Sequence, residues 1–285
     1  MIELLERLFT FEGLGRQLGQ GFVQNAFLAC AVLGLAAGLL APLIVARGMS
    51  FAVHGTAELA FTGGAAALVA GVSVGLGAVA GALTAGLVFG LLGLRQRERD
   101  SVIGVVLAFG LGLGVLLLSL YKGRSSNKFG LLTGSVVSVD STDLTVLGVV
   151  AVVVIATLAA LYRPMLFAST DPDVAVARGV PVRVLSVVFA MLVGLTTALA
   201  VPIVGAILVL SVMIVPGAAA ARVTASPVRA TLLAVLFAEV ALLGGVFLSL
   251  APGLPVSGYV AALSFLCYLG CRLVARLRGR RTVAA

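Results

Sequence analysis

Apolar positions run along this chain in stretches of about twenty residues, broken by short charged or proline-bearing segments. Such stretches satisfy their own backbone in lipid only as helices or as strands of a closed barrel. They are too long for barrel strands, and the period-two alternation of a barrel is missing, so helices are predicted. The breaks delimit nine of them, near 22–46, 50–71, 73–94, 102–121, 143–162, 184–202, 204–221, 228–250 and 257–275. The expected fold is therefore an all-α polytopic membrane bundle of about eight or nine transmembrane helices. Pro202, the Val204-Gly205 step and Pro216 interrupt the 184–221 stretch, as broken helices do beside a transport pathway or where proline is merely tolerated.

Composition sharpens this picture. Hydrophobic residues make up 61% of the 285 positions and charged ones 11%, with a mean hydropathy of +1.22. No water-facing globular surface has that balance. Residues 1–20 read as an interfacial amphipathic segment, because Leu4, Leu5, Leu8 and Phe9 fit one helix face while Glu3 and Glu6 break the pattern of a secretory signal. Residues 21–276 form the membrane domain, and 277–285 a basic tail. Glycines four apart recur at Gly71/Gly75, Gly77/Gly81, Gly86/Gly90 and Gly110/Gly114, a spacing that lets backbones approach; packing within one bundle is the preferred reading.

The net charge of +8 reflects topology rather than a nucleic-acid partner, since the basic residues stand singly or in short groups between apolar runs. Arg47, Arg95, Arg97, Arg99, Arg163, Arg178, Arg183, Arg222 and Arg229 fall on one side, with Arg272, Arg276, Arg278, Arg280 and Arg281 of the tail. Only Arg7, Arg16, Lys122, Arg124 and Lys128 fall on the other. The bias predicts a multi-pass protein of the cell membrane with its N-terminus outside and its C-terminus cytoplasmic. Asp140, Asp143, Lys122 and Lys128 then belong to the outer face.

The segment RGMSFAVHGTAELAFTGGAAALVAG, residues 47–71, holds the only histidine, His54, with Glu58 four residues on. That spacing puts an imidazole and a carboxylate on one helix face, a mixed donor pair that suits zinc, manganese or ferrous iron. A His–Glu pair hydrogen-bonded within the bundle is the alternative reading. Glu239 is a second carboxylate deep in an apolar run, placed to line an ion path, take a proton or pack by a hydrogen bond. Cys30, Cys267 and Cys271 fall inside apolar runs and suggest no disulfide; the last two share a helix face, as soft-metal ligands or, more commonly, small hydrophobes. Between 163 and 183 the chain reads RPMLFASTDPDVAVARGVPVR, in which Asp171 can cap a short helix opened by Pro172 and closed by Gly179. No G-x-x-x-x-G-K-[ST] phosphate loop occurs, so any ATP hydrolysis belongs to another chain.

Several of these segments resemble zinc/manganese-type metal ABC permeases. Residues 49–63 resemble a second-helix signature of the form MSLLGDALSHAVLPG, which sets His54 on the family's aspartate and Glu58 on its histidine, the same pair in reversed order. RQRERDSVIGVVLAFGLGLG resembles the charged loop before the fourth helix, and FGLLTGSVVSVDSTDL a hairpin region. VPIVGAILVLSVMIVPGAAAARV resembles the family's VPIVGILLVSALLIIPAATA, with Pro202, Gly205 and Pro216 in register. Gly253, Pro255 and Gly258 fall at the turn before the last helix.

The resemblance implies a type II ABC-importer-like permease, not an enzyme, carrying a divalent transition metal (zinc, manganese or iron) with no permanently bound cofactor. His54 and Glu58, at the family's two metal-contacting positions, are its expected metal contacts, and Glu239, named from its place in an apolar run, is a further candidate. Asp171, Pro172, Asp173, Ala177, Gly179 and Pro181 match the cytoplasmic coupling loop, about 163–183, that docks on the ATPase subunit. A second copy of the permease and an extracytoplasmic solute-binding protein complete the implied assembly. The competing reading is a gradient-driven secondary transporter that uses His54, Glu58 and Glu239 as a relay; an intramembrane enzyme ranks last, because no HExxH or GxSxG motif is present.

Overall fold

The computed structural model describes residues 19–92, 96–123, 130–131, 134, 141–250 and 255–283. The interfacial reading of 1–18, the outer-face readings at Lys128 and Asp140 and the turn reading at Gly253 lie outside the described residues.

The described residues form an antiparallel helical bundle: α1 (Gly21–Ala46), α2 (Ser50–Ala70), α3 (Val74–Leu92), α4 (Gln96–Leu120), α5 (Ser141–Thr170), α6 (Pro172–Ala177), α7 (Val182–Val204), α8 (Val209–Met213), α9 (Val215–Val223), α10 (Pro227–Leu250) and α11 (Val256–Val283). Seven of them, α1, α3, α4, α5, α7, α10 and α11, are long and apolar enough to cross a membrane. Helix α2 is long enough as well, 21 residues or about 31 Å, but its polar residues keep it out of that set. It is the inner helix of a group in which α3, α4 and α7 pack around it. In a second group α9 and α10 pack against α1 and α11 packs on α9 and α10, and α5 and α7 join the two groups through α1.

Three differences from the sequence reading have local causes. The stretch 204–221 is not one helix. Pro202 supplies no amide, Gly205 turns to φ +90°, and the chain continues as a single 3-10 turn at Ala206–Leu208, then as α8 and α9 with Pro216 in the first turn of α9. Helix α5 runs on through Pro164 to Thr170, so the connecting segment shortens to 171–181. Helix α11 likewise continues through the basic residues to Val283, where a separate tail was expected.

Glycine sets the helix spacing. A Cβ at Gly63 of α2 would collide with the carbonyl oxygen of Gly77 on α3, and one at Gly81 with that of Leu59. Gly86 and Gly90 meet α7 at Ala190 and Val187, and Gly110 and Gly114 meet α2 at Leu59 and Phe61. Three of the four glycine pairs thus pack helices within one chain. Gly134, at φ +80°, lies against the backbone of Ile203 to Gly205, beside the helix break. Exposed Phe109, Leu116, Val152, Phe265 and Leu266 form the apolar exterior of α4, α5 and α11.

Candidate functional site

Helix α2 starts directly after a tight turn at Arg47-Gly48-Met49, where Gly48 has φ +60° and the Met49 amide donates to Ile44 O at 3.0 Å. This turn places His54 about one turn and Glu58 about two turns into the helix. Glu58 is only 5% exposed and His54 half-buried. Next to them Gly55 faces Phe89 of α3 and Ile103 of α4, which close that flank. The Glu58 carbonyl accepts a 2.8 Å hydrogen bond from Thr62 Oγ1, which also lies 2.6 Å from Gly110 O on α4. The side chains differ: His54 Nδ1 and Glu58 Oε2 are buried and have no hydrogen-bond partner. Each such orphan costs about 1–3 kcal/mol. Thr197 Oγ1, the Tyr259 hydroxyl and Ser264 Oγ are unpartnered in the same way, but only His54 and Glu58 set an imidazole and a carboxylate one turn apart, which makes them the candidate site. The alternative of a mutual hydrogen bond is not what these two atoms make.

Glu239 stands elsewhere. It is half-buried on α10 against α1, where a Cβ at Gly34 would lie 2.8 Å from its Oε1; glycine there makes room for the carboxylate. Among the described residues no three His, Cys, Asp or Glu side chains come together. His54 and Glu58 thus share α2 at a spacing of four, while Glu239 lies on the other group of helices. Cys30 is buried on α1, and Cys267 and Cys271 are free thiols on α11.

Helix α6 follows its local rules. Asp171 Oδ1 accepts from the Val174 amide at 3.1 Å, Pro172 opens the helix, and Gly179 (φ +78°) closes it, with the Val180 amide donating to Ala175 O at 3.0 Å. Ala175 is its only buried residue, and Val174 and Val176 are 42% and 60% exposed. Asp173, Ala177 and Pro181 are also on the surface.

Two features escaped the sequence reading. Arg47 looked like one more topological charge. In the fold its Nε donates to Ser169 Oγ at 2.7 Å and its Nη2 to Met165 O at 3.1 Å, and the guanidinium lies 4.5 Å from the centre of the Phe189 ring. Burial lowers its pKa to about 10, so it stays cationic at neutral pH. One side chain thus links the turn before α2, the end of α5 just ahead of α6, and α7 just behind it. The second feature is Thr197 on α7, whose Oγ1 is buried without a partner. A lone threonine in an apolar helix carries too weak a signal to be singled out.

A family model described as the ABC 3 transport family matches residues 20–275. The chain is 30% identical over 243 residues to the manganese transport system membrane protein MntC of Listeria innocua, covering 85% of each chain. It is 28% identical over 200 residues to the manganese import system permease protein ScaB of Streptococcus parasanguinis, covering 70% of this chain and 71% of that one. Among solved structures it resembles PsaBC from Streptococcus pneumoniae in complex with Fab, with a TM-score of 0.79 and 24% identity over 98% of this chain and 100% of that chain. The latter likeness speaks to the fold.

Proposed function

The chain belongs to the ABC 3 transport family, and from that premise we propose that it conducts manganese, with the His54 imidazole and the Glu58 carboxylate as ligands the ion meets inside the bundle. It is the membrane permease of a metal ABC import system, and ATP hydrolysis resides in a separate chain. The gradient-driven alternative is set aside on that ground. The observation that carries the site is the pair of buried atoms, His54 Nδ1 and Glu58 Oε2, one helical turn apart and without partners. Imidazole and carboxylate together accept zinc, manganese or ferrous iron, and the choice of manganese rests on the named relatives, which are manganese systems. Two ligands do not fill a coordination shell, so waters or the same pair from a second copy complete it. Glu239, with α1 cut back to Gly34 opposite, serves as a further carboxylate along the path.

Orientation follows from charge: the ends bearing Arg47, Arg178, Arg222 and Arg278 are cytoplasmic. Helix α6 then faces the cytoplasm and docks on the ATPase, while an extracytoplasmic binding protein delivers the ion to the opposite face. ATP binding and hydrolysis shift the balance between outward-open and inward-open states. Arg47 gives that movement a short route, because it clamps both flanks of α6 to the turn from which the His54 helix starts.

Two measurements bear on this reading. In proteoliposomes holding permease and ATPase and supplied with the binding protein, ATP-dependent manganese uptake at subsaturating metal should weaken as the outer pH falls from neutral towards 5, and by more than the residual uptake of the His54→Ala, Glu58→Ala background does. The ion binds carboxylate and neutral imidazole, so protons compete with it and raise KM rather than lower the maximal rate. A KM indifferent to pH contradicts ligation by these groups. Separately, Val176→Asp should weaken co-purification of the ATPase by roughly tenfold to a hundredfold, the penalty for an unpaired charge in a dry contact. Undiminished co-purification would remove α6 from the docking surface.

A further inference from the structure

A groove of about 540 Å³ opens between α10 and α11, beside the end of α9. Its mouth holds Arg229, Arg278 and Thr224. Deeper in, Leu233 and Phe237 of α10 face Cys267, Gly270, Cys271 and Val274 of α11. Arg229, Leu233 and Phe237 are spaced four apart, so they line one face of α10 over about 12 Å. The groove is thus cationic at one end and apolar along its length. Arg278 is held at the mouth by a 3.3 Å hydrogen bond from Nη1 to Val223 O. Neither α9 nor α11 contains an acidic residue, and the one in α10, Glu239, is turned towards Gly34 of α1. Val274, which lines the groove, is itself exposed, and exposed Leu266, Leu269 and Leu273 extend the apolar exterior over the adjoining face of α11.

We propose that the groove is a binding site for an anionic phospholipid, with its phosphate between Arg229 and Arg278 and one acyl chain laid along Leu233, Phe237 and Gly270. Charge selects the headgroup, since each arginine near the membrane surface attracts anionic lipid. The apolar depth selects the chain, which a soluble phosphate has no means to fill. A second copy is a poor occupant, because a two-fold contact at this groove would set cation against cation. Gly270 is what keeps the floor open: a Cβ there would meet nothing within 4 Å.

The test uses the full chain, delipidated in detergent and offered phosphatidylglycerol or phosphatidylcholine, with adducts read by native mass spectrometry. Phosphatidylglycerol should be retained in preference. Arg229→Gln with Arg278→Gln should cut that preference about thirtyfold. Gly270→Leu should cut retention with both arginines intact, and it serves as the second variant if the double exchange does not fold. Alkylation of Cys267 and Cys271 should slow with phosphatidylglycerol but not with glycerol 3-phosphate. Equal retention of both lipids by the unaltered chain overturns the site, as does a preference that survives both variants. Protection by glycerol 3-phosphate alone would mark a soluble-anion site instead, and thiols already shielded in a lipid-free dimer would place a second copy in the groove; either result overturns the proposal.

Discussion

Exchanging His54 and Glu58 together for alanine is expected to abolish ATP-driven manganese uptake, a loss of at least about a hundredfold, since even partners of metal ligands are worth ten- to a hundredfold. The same double variant should be at least as stable as the unaltered chain. His54 Nδ1 and Glu58 Oε2 are buried without partners, and removing an unsatisfied group from a dry interior relieves a cost rather than incurring one. The opposed signs are the useful part. A structural His–Glu pair would show falling stability with little specific loss of transport, whereas a pathway shows the reverse. The thermal midpoint in detergent and the initial uptake rate, measured on one preparation, separate the two. Uptake at the unaltered rate would remove this pair from the path.

The second large effect is steric. Gly63→Val should prevent the bundle from assembling, because the new side chain would be driven into the Gly77 carbonyl on α3, and backbone meeting backbone has no rotamer to move aside. Gly77 is constrained in return, since its own Cβ would strike Gly63 O. The cost exceeds about 3 kcal/mol, the upper end of ordinary overpacking. Size-exclusion chromatography of the fluorescently tagged chain should show aggregate in place of a monodisperse peak. Gly148→Val on α5 is the matched control: nothing lies within 4 Å of a Cβ there, so its effect should stay within about 0.5 kcal/mol. If both variants gave equal yields of folded protein, the close approach of α2 and α3 would be wrong.

Much of this was legible before any fold was available, and the reason is locality. Helix existence follows from apolar runs of bilayer length, and the ends of α6 follow from an aspartate, a proline and a glycine within nine residues. The pairing of His54 with Glu58 follows from a spacing of four on one helix. The break at Gly205 was announced by its neighbouring proline, although the division of 204–221 into a turn and two short helices was not, because that depends on what packs against each half.

Other features belong to contacts between residues distant in the chain. The carboxylates at 58 and 239 look alike in sequence, each a lone acid in an apolar run, yet the fold sets one on the enclosed α2 and the other over Gly34 of α1. Arg47 lies 118 and 122 residues from its hydrogen-bond partners, so no local pattern could have marked it as a clamp. Sequence alone therefore determined the helical membrane class, the broken segment and the chemistry available. Tertiary structure decided which polar atoms are left without partners, because periodicity fixes the face a side chain shares with its neighbours while only packing settles what lies opposite.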